Sequence, residues 1–310
     1  MPRSPLYVGS QTGGGTVVSS ATLTTGQIWY VDSATGTDAV GYGRTPDAPF
    51  ASMNYCDTRL AAESRGNKGD MVIVMPGHTE TISAAAGCDL NTGGVYWRGI
   101  GTGSSTPLLT FGTAVGADLN IDAAGITLEN FRITTTIDAL TGPIDVNAAG
   151  FTFKNILFED GTGQVTDFLV ADANADLMVI DNVRYTGAAA AGTNSAFVLA
   201  GCDDVEIKNC FIFGNFAVSA IDFRTAAASR AWIHDCHIRT VNAADLCIKD
   251  TVTGSTGNIG PNLFLSLQDD AANVTEAVTG ATFRVFDPVY VVNANHEKAM
   301  LINWTATTDA

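Results

Sequence analysis

Five stretches of the chain repeat one arrangement of apolar and polar positions: GITLENFRI (125–133), GFTFKNILF (150–158), LMVIDNVRY (177–185), VEIKNCFI (205–212) and AWIHDCHI (231–238). Apolar residues fall at every second place, the period of a strand with one buried side, and each run breaks at a single Asn or Asp. These pivots, Asn130, Asn155, Asn182, Asn209 and Asp235, are 25, 27, 27 and 26 residues apart. A fixed period of this length marks one supersecondary unit used again and again. A second series lies between the pivots: ADLNIDA (117–123), PIDVNAA (143–149), FLVADAN (168–174), FVLAG (197–201), IDFRT (221–225) and LCIKD (246–250). Each unit therefore holds at least two short strands and has no room for a helix of ordinary length. The fold class this predicts is all-β: a parallel β-helix of 25–27 residues per coil, with coils stacked about 4.8 Å apart.

The outward positions test that stacking. If Ile126 and Leu128 point inward, Glu129 points out, and its counterparts are Lys154, Asp181, Lys208 and His234. The sign of charge alternates coil by coil, which is favourable only if these side chains lie directly opposite one another. The pivot Asn residues are expected to point inward where the strand bends, bonding freed backbone groups and their own copies one coil away. Asp235 is the odd member of this ladder, and Gly99 stands at the matching place in the earlier turn GVYWRGIG.

Around the repeats the text changes. Residues 1–27 are rich in Gly, Ser and Thr and carry one charge, Arg3, which predicts a flexible or docking arm. Residues 28–94 read as an N-terminal cap and first coil, with a short helix over Asn54–Ser64; residues 95–257 hold the coils, and 258–310 form a C-terminal β segment suited to a cap or subunit interface.

Composition adds exclusions. With 32 acidic and 16 basic residues the net charge is −16, so nucleic acid is not an expected partner. No apolar run reaches about 20 residues, so no membrane partner is expected, and MPRSPLYVGSQTGGG lacks the apolar centre of a secretory signal, which predicts a protein made in a cytoplasm. The six cysteines form no CxxC pair; Cys210 and Cys236 share the inward slot of Phe131, Ile156 and Val183 and read as small core residues.

Candidate chemistry is sparse. DANAD (172–176) opens like a Ca²⁺ loop but has Leu177 where the loop needs Gly and Val183 where it needs Glu. Asp122, Asn147 and Asp172 recur at a spacing of 25 and are the candidate ligands for a structural Ca²⁺; the alternative is a column of hydrated turn residues. His78 and Glu80 in PGHTETI have no further His or Cys at metal spacing. No nucleophile, base and orienting acid assemble, so no catalytic residue and no cofactor are assigned, although carboxylates on a β-helix can come from distant coils.

The block YVDSATGTDAVGYGRTPDAPFASM with GDMVIVMPGHTETI resembles the N-terminal cap of right-handed parallel β-helix proteins of the pectate-lyase-like superfold, and with the repeats this resemblance spans residues 28–250. The enzymes of that superfold imply a comparison that the motifs do not meet. AWIHDC transposes the His and Asp of the pectate lyase segment vWIDH, and the RxPxxR, NTD, GHG and RIK signatures are missing; His234 and His237 read as outward ladder residues. GADLNIDAAGITLENFRI, TGPIDVNAAGFTFKNILF and EAVTGATFRVFDPVYVVNANHEKAMLIN look like proteins found beside capsid genes of tailed bacteriophages. That resemblance implies a non-enzymatic virion structural protein: a capsid decoration or cement protein, trimeric, partnered by itself and the major capsid protein, on the capsid surface. The alternative is a tailspike-like glycan-binding protein or polysaccharide depolymerase on the same scaffold.

Overall fold

In the repeats the pivot turns the strand instead of ending it. Asn130, Asn155, Asn182, Asn209 and Asp235 have φ of 65°, 54°, 54°, 55° and 53°, the left-handed region that Asn and Asp tolerate better than other side chains. Residues 126 and 128 point inward before the first pivot, and 131 and 133 after it. The pivot is thus the one residue that shifts the phase of the alternation, and it carries the chain around a corner with both flanking halves still packed. The computed structural model describes residues 25–161, 165–187, 193–240, 246–252, 254–266, 278–279, 283–285, 289–292 and 299–301. The arm predicted over 1–27 falls almost wholly outside these residues, as does most of 258–310.

The corners divide the coil into three parallel faces of a right-handed β-helix. The first face runs through Ile28–Val31, Met71–Val74, Tyr96–Gly99, the leading halves of Thr127–Thr135, Thr152–Glu159 and Val179–Thr186, then Glu206–Lys208, Ala231–His234, Gly257–Ile259 and Phe283–Val285. The second takes Thr79–Ile82, Leu108–Phe111, the trailing halves of the same three strands, Phe211–Gly214, Cys236–Thr240, Asn262–Ser266 and Val289–Val292. The third runs from Cys88–Leu90 to Val278–Thr279 and contains the second series of sequence repeats. The last described strand, Ala299–Leu301, breaks the rule and pairs antiparallel with Val289–Val292.

Inward residues stack in columns. Leu128, Phe153, Ile180, Ile207, Ile233 and Ile259 are register partners in sequence, each fully buried. Phe158, Phe168, Tyr185 and Phe216 form a continuous aromatic stack, with ring centroids 4.1 Å (Phe158–Phe168), 4.8 Å (Phe158–Tyr185) and 5.8 Å (Tyr185–Phe216) apart. All six cysteines are buried thiols, and burial pushes Cys210 well above its ordinary value.

The capping helix α1 spans Met53–Ala62 and turns Met53, Cys56, Asp57 and Leu60 into the first coil. Its N-cap is Ser52, whose hydroxyl accepts from Tyr55 N–H at 3.2 Å. His78 and Glu80 tie this region together. His78 Nδ1 accepts from Ser33 N–H (3.0 Å), Nε2 lies 3.2 Å from Glu80 Oε2, and that oxygen accepts from Met53 N–H (3.0 Å). Both are buried or half-buried and serve the cap. Among the described residues no helix is long and apolar enough to cross a membrane.

Candidate functional site

The outer surface of the first face carries two columns of side chains. One reads Arg98, Glu129, Lys154, Asp181, Lys208, His234, each the register partner of the next. The alternating series seen in the sequence is therefore a real column, extended by Arg98. Glu129 lies 3.9 Å from Arg98 Nε and 3.8 Å from Lys154 Nζ. The other column ends Val179, Glu206, Trp232, Asn258. Where the columns meet at Glu206, Lys208, Trp232 and His234, the surface changes character.

Trp232 is an outward residue of Ala231–His234 and is 46% exposed, the most open aromatic among the described residues. Its indole stacks on the His234 imidazole, centroids 4.0 Å apart at 26°. His234 Nδ1 is 2.6 Å from Asp235 Oδ2, and Nε2 is 3.2 Å from Glu206 Oε1. The other oxygen of Glu206 accepts from Lys208 Nζ at 2.6 Å. Partial burial disfavours the Glu206 charge, but the bonds from Lys208 and His234 outweigh it and hold this carboxyl below its ordinary range. The same bond to Glu206 raises the Lys208 ammonium. The result is a fixed carboxylate, a fixed ammonium, an imidazole with a carboxylate at each nitrogen, and an indole face open to solvent. An imidazole so placed can pass a proton to either side, and an open indole is a platform for the apolar face of a sugar ring.

The pivots do not point inward as expected. Asn130 and Asn155 are half-buried, while Asn182, Asn209 and Asp235 are exposed, because the left-handed corner sets them on the edge between two faces. Their bonds are mixed. Asn130 Nδ2 donates to Gly99 O (2.8 Å) and Gly101 O (3.2 Å), Asn155 to Glu129 Oε1 (2.9 Å), Asn182 to Asn155 Oδ1 (2.8 Å), and Asn209 to Asp181 Oδ1 (2.8 Å). Only the Asn155–Asn182 pair bonds copy to copy; the remaining bonds tie the corner to the backbone or to the charge column. Gly99 does stand at the matching place: a Cβ there would meet Asn130 O at 2.1 Å.

Asp122, Asn147 and Asp172 follow successive register pairs of the third face, so they stack on one corner. Their side chains turn to each other and to their own turns. Asn147 Nδ2 donates to Asp122 Oδ1 at 2.9 Å, and the two oxygens of Asp172 accept from Asn174 N–H (2.7 Å) and Nδ2 (3.1 Å). Among the described residues no three His, Cys, Asp or Glu side chains are gathered to hold a metal ion.

A second ionic cluster lies on the third face. Arg224 bridges Asp167 and Asp222, with Nη1 3.7 Å from Asp222 Oδ2 and Nη2 in close contact with Asp167. Burial pushes Asp222 up, against the pull of Arg224 and Lys249. Its side chain is 1% exposed, which shuts it off from a polymer outside.

Motif reading passed over Glu206 and Trp232, and took His234 only as a ladder residue. The signal was in the alignment of outward slots, where Glu206 falls directly beside Trp232, and no contiguous motif contains both.

Neither a protein-family profile nor a curated protein matches the chain. Among solved structures it resembles a rhamnogalacturonan lyase, with a TM-score of 0.51 and 12% identity over 90% of this chain and 85% of that one. It also aligns with an alginate lyase from Paenibacillus sp. str. FPU-7, with a TM-score of 0.30 and 10% identity over 74% of this chain and 96% of that one. The first shows the shared fold. The expectation of a non-enzymatic protein is withdrawn, since a solved structure that shares this fold over most of its length is named as a lyase; at 12% identity the likeness carries the fold and no activity. That expectation rested on missing contiguous motifs, and the corner at Glu206 and His234 gathers its groups from different coils.

Proposed function

We propose that the chain is a polysaccharide-binding β-helix protein with depolymerase activity, working at the corner around His234. The observation that carries this reading is the open Trp232 indole stacked on an imidazole held between Glu206 and Asp235. In it, Trp232 seats a sugar ring, Lys208 faces an anionic substituent, and His234 accepts the proton taken from the sugar while Glu206 stays ionised and stabilises the imidazolium that forms. A tailspike-like setting suits such a protein; the trimer, the major capsid partner and the capsid-surface position belong to the decoration reading that this one replaces.

The test is incubation with capsular, lipopolysaccharide and plant cell-wall glycans, reading new reducing ends and the ultraviolet absorbance of an unsaturated sugar. The second signal separates elimination from hydrolysis. Trp232→Ala is expected to raise KM, and His234→Ala to abolish cleavage while the fold survives. A glycan that binds without cleavage, equally in wild type and Trp232→Ala, overturns the reading.

A further inference from the structure

Around the Asn corner from this site, the outer surface of the second face is unlike the rest of the molecule. Arg132, Leu157, Arg184, Phe211 and His237 are successive register partners in one outward column. Beside it, Thr134, Glu159, Thr186, Phe213 and Arg239 form the next. In a chain of net charge −16, these columns hold three arginines and one carboxylate. Arg44, Arg59, Arg65, Arg98, Arg224 and Arg230 are all in ion pairs. Arg132, Arg184 and Arg239, like Arg284 on the first face, are in no ion pair with a described residue. Two of them lie over aromatic rings instead: Arg184 is 5.2 Å from the centroid of Phe211, and Arg239 is 5.2 Å from that of Phe213. The His237 ring meets Phe211 edge-on at 4.9 Å, and its Nε2 has no hydrogen-bond partner.

Guanidiniums laid on aromatic rings are held in place without being neutralised. They keep their charge for a ligand. Arg132, Arg184 and Arg239 stand on every second coil, which at the strand spacing of a sheet puts them about 10 Å apart along the axis. Such sparse positive charge, alternating with flat apolar rings, fits an extended polymer with spaced anionic groups and apolar ring faces. It does not fit a nucleic acid duplex, which sets one phosphate charge every ~1.7 Å of its axis against one arginine per about 10 Å here.

We infer that the second face is a binding surface for an acidic polysaccharide, laid along the solenoid axis over Arg184, Phe211, Phe213 and Arg239. The inference rests on the proposed glycan function and names the chemistry of the glycan. It is tested on the full chain by affinity electrophoresis and calorimetry with alginate and polygalacturonate, with neutral dextran and poly(dT) as comparisons. The wild type is expected to bind the acidic glycans in a salt-dependent way, to ignore dextran, and to prefer glycan over poly(dT). The Arg184→Gln/Arg239→Gln variant, whose substituted side chains are exposed, should melt like the wild type and bind about tenfold more weakly or worse.

Unchanged binding by that variant, equal or tighter binding of poly(dT), or an oligomer that dissociates when the arginines are replaced would each overturn the inference; the last would make the face a subunit interface. Trp232→Ala separates the two proposals. If it abolishes binding while the arginine variant binds normally, the corner site stands and this surface does not. The reverse outcome leaves the arginine face as the glycan site and removes the corner reading.

Discussion

Asn155 gives the sharpest test of how the corner works. Its backbone is left-handed, with φ of 54°, and its side chain donates to Glu129 Oε1 at 2.9 Å and accepts from Asn182 Nδ2 at 2.8 Å. Asn155→Ala loses both bonds, worth about 0.5–1.5 kcal/mol each, and the Glu129 contact is at the upper end because the acceptor is charged. It also places a side chain with no local polar compensation in the left-handed region, at about 1–2 kcal/mol. The sum is about 2–5 kcal/mol. Asn155→Gly loses the same two bonds and escapes the steric cost, but adds about 0.5–1 kcal/mol of chain entropy in the unfolded state. Gly should therefore be the milder change by about 0.5–1 kcal/mol. Urea denaturation of the full chain, followed by circular dichroism, reads both variants against wild type. If Gly is as damaging as Ala, the left-handed backbone is not what Asn supplies here, and the corner argument fails for all five pivots.

Two other predictions concern charge. Lys154→Glu would place three carboxylates in a row with Glu129 and Asp181; it should cost about 1 kcal/mol at low ionic strength, and the loss should shrink as salt is added. Asp57, in α1, accepts from Asn91 N–H (2.9 Å) and Thr92 N–H (3.2 Å), yet burial pushes its carboxyl up to about 6. A folded value above the unfolded one means that the native state binds the proton more tightly. This group's contribution is therefore most favourable at and below the unfolded value, and it is lost as pH rises to about 6, by about 3 kcal/mol in all. Melting curves of wild type and Asp57→Asn from pH 4 to 8 should show that dependence only in wild type; parallel curves would refute it.

Much of the fold was legible because a solenoid writes its geometry into the spacing. The pivots, the inward columns and the alternating charges each repeat, so errors in one coil are caught by the next. The third face was harder to see. A strand such as Thr127–Thr135 looks like one element in sequence, and only the positive φ of Asn130 splits it between two faces. That same corner explains why the pivots were placed inside: alternation alone cannot show that one residue absorbs a phase shift and is carried to the edge. The candidate site was least legible. Glu206 and His234 are 28 positions apart, and no local pattern joins residues on different coils. They become neighbours only after register is fixed, and their chemistry is then read across coils.

The antiparallel strand Ala299–Leu301 has a consequence for assembly. A parallel stack is a template: its last rung offers the same hydrogen-bonding edge as every rung before it, and a second molecule could continue the pattern indefinitely. Reversing the direction of the final rung against Val289–Val292 presents an edge of the wrong polarity for another coil. On that face, a coil of a second molecule running in the common direction would have to pair antiparallel with Ala299–Leu301, the last described strand, instead of repeating the parallel register of the coils before it.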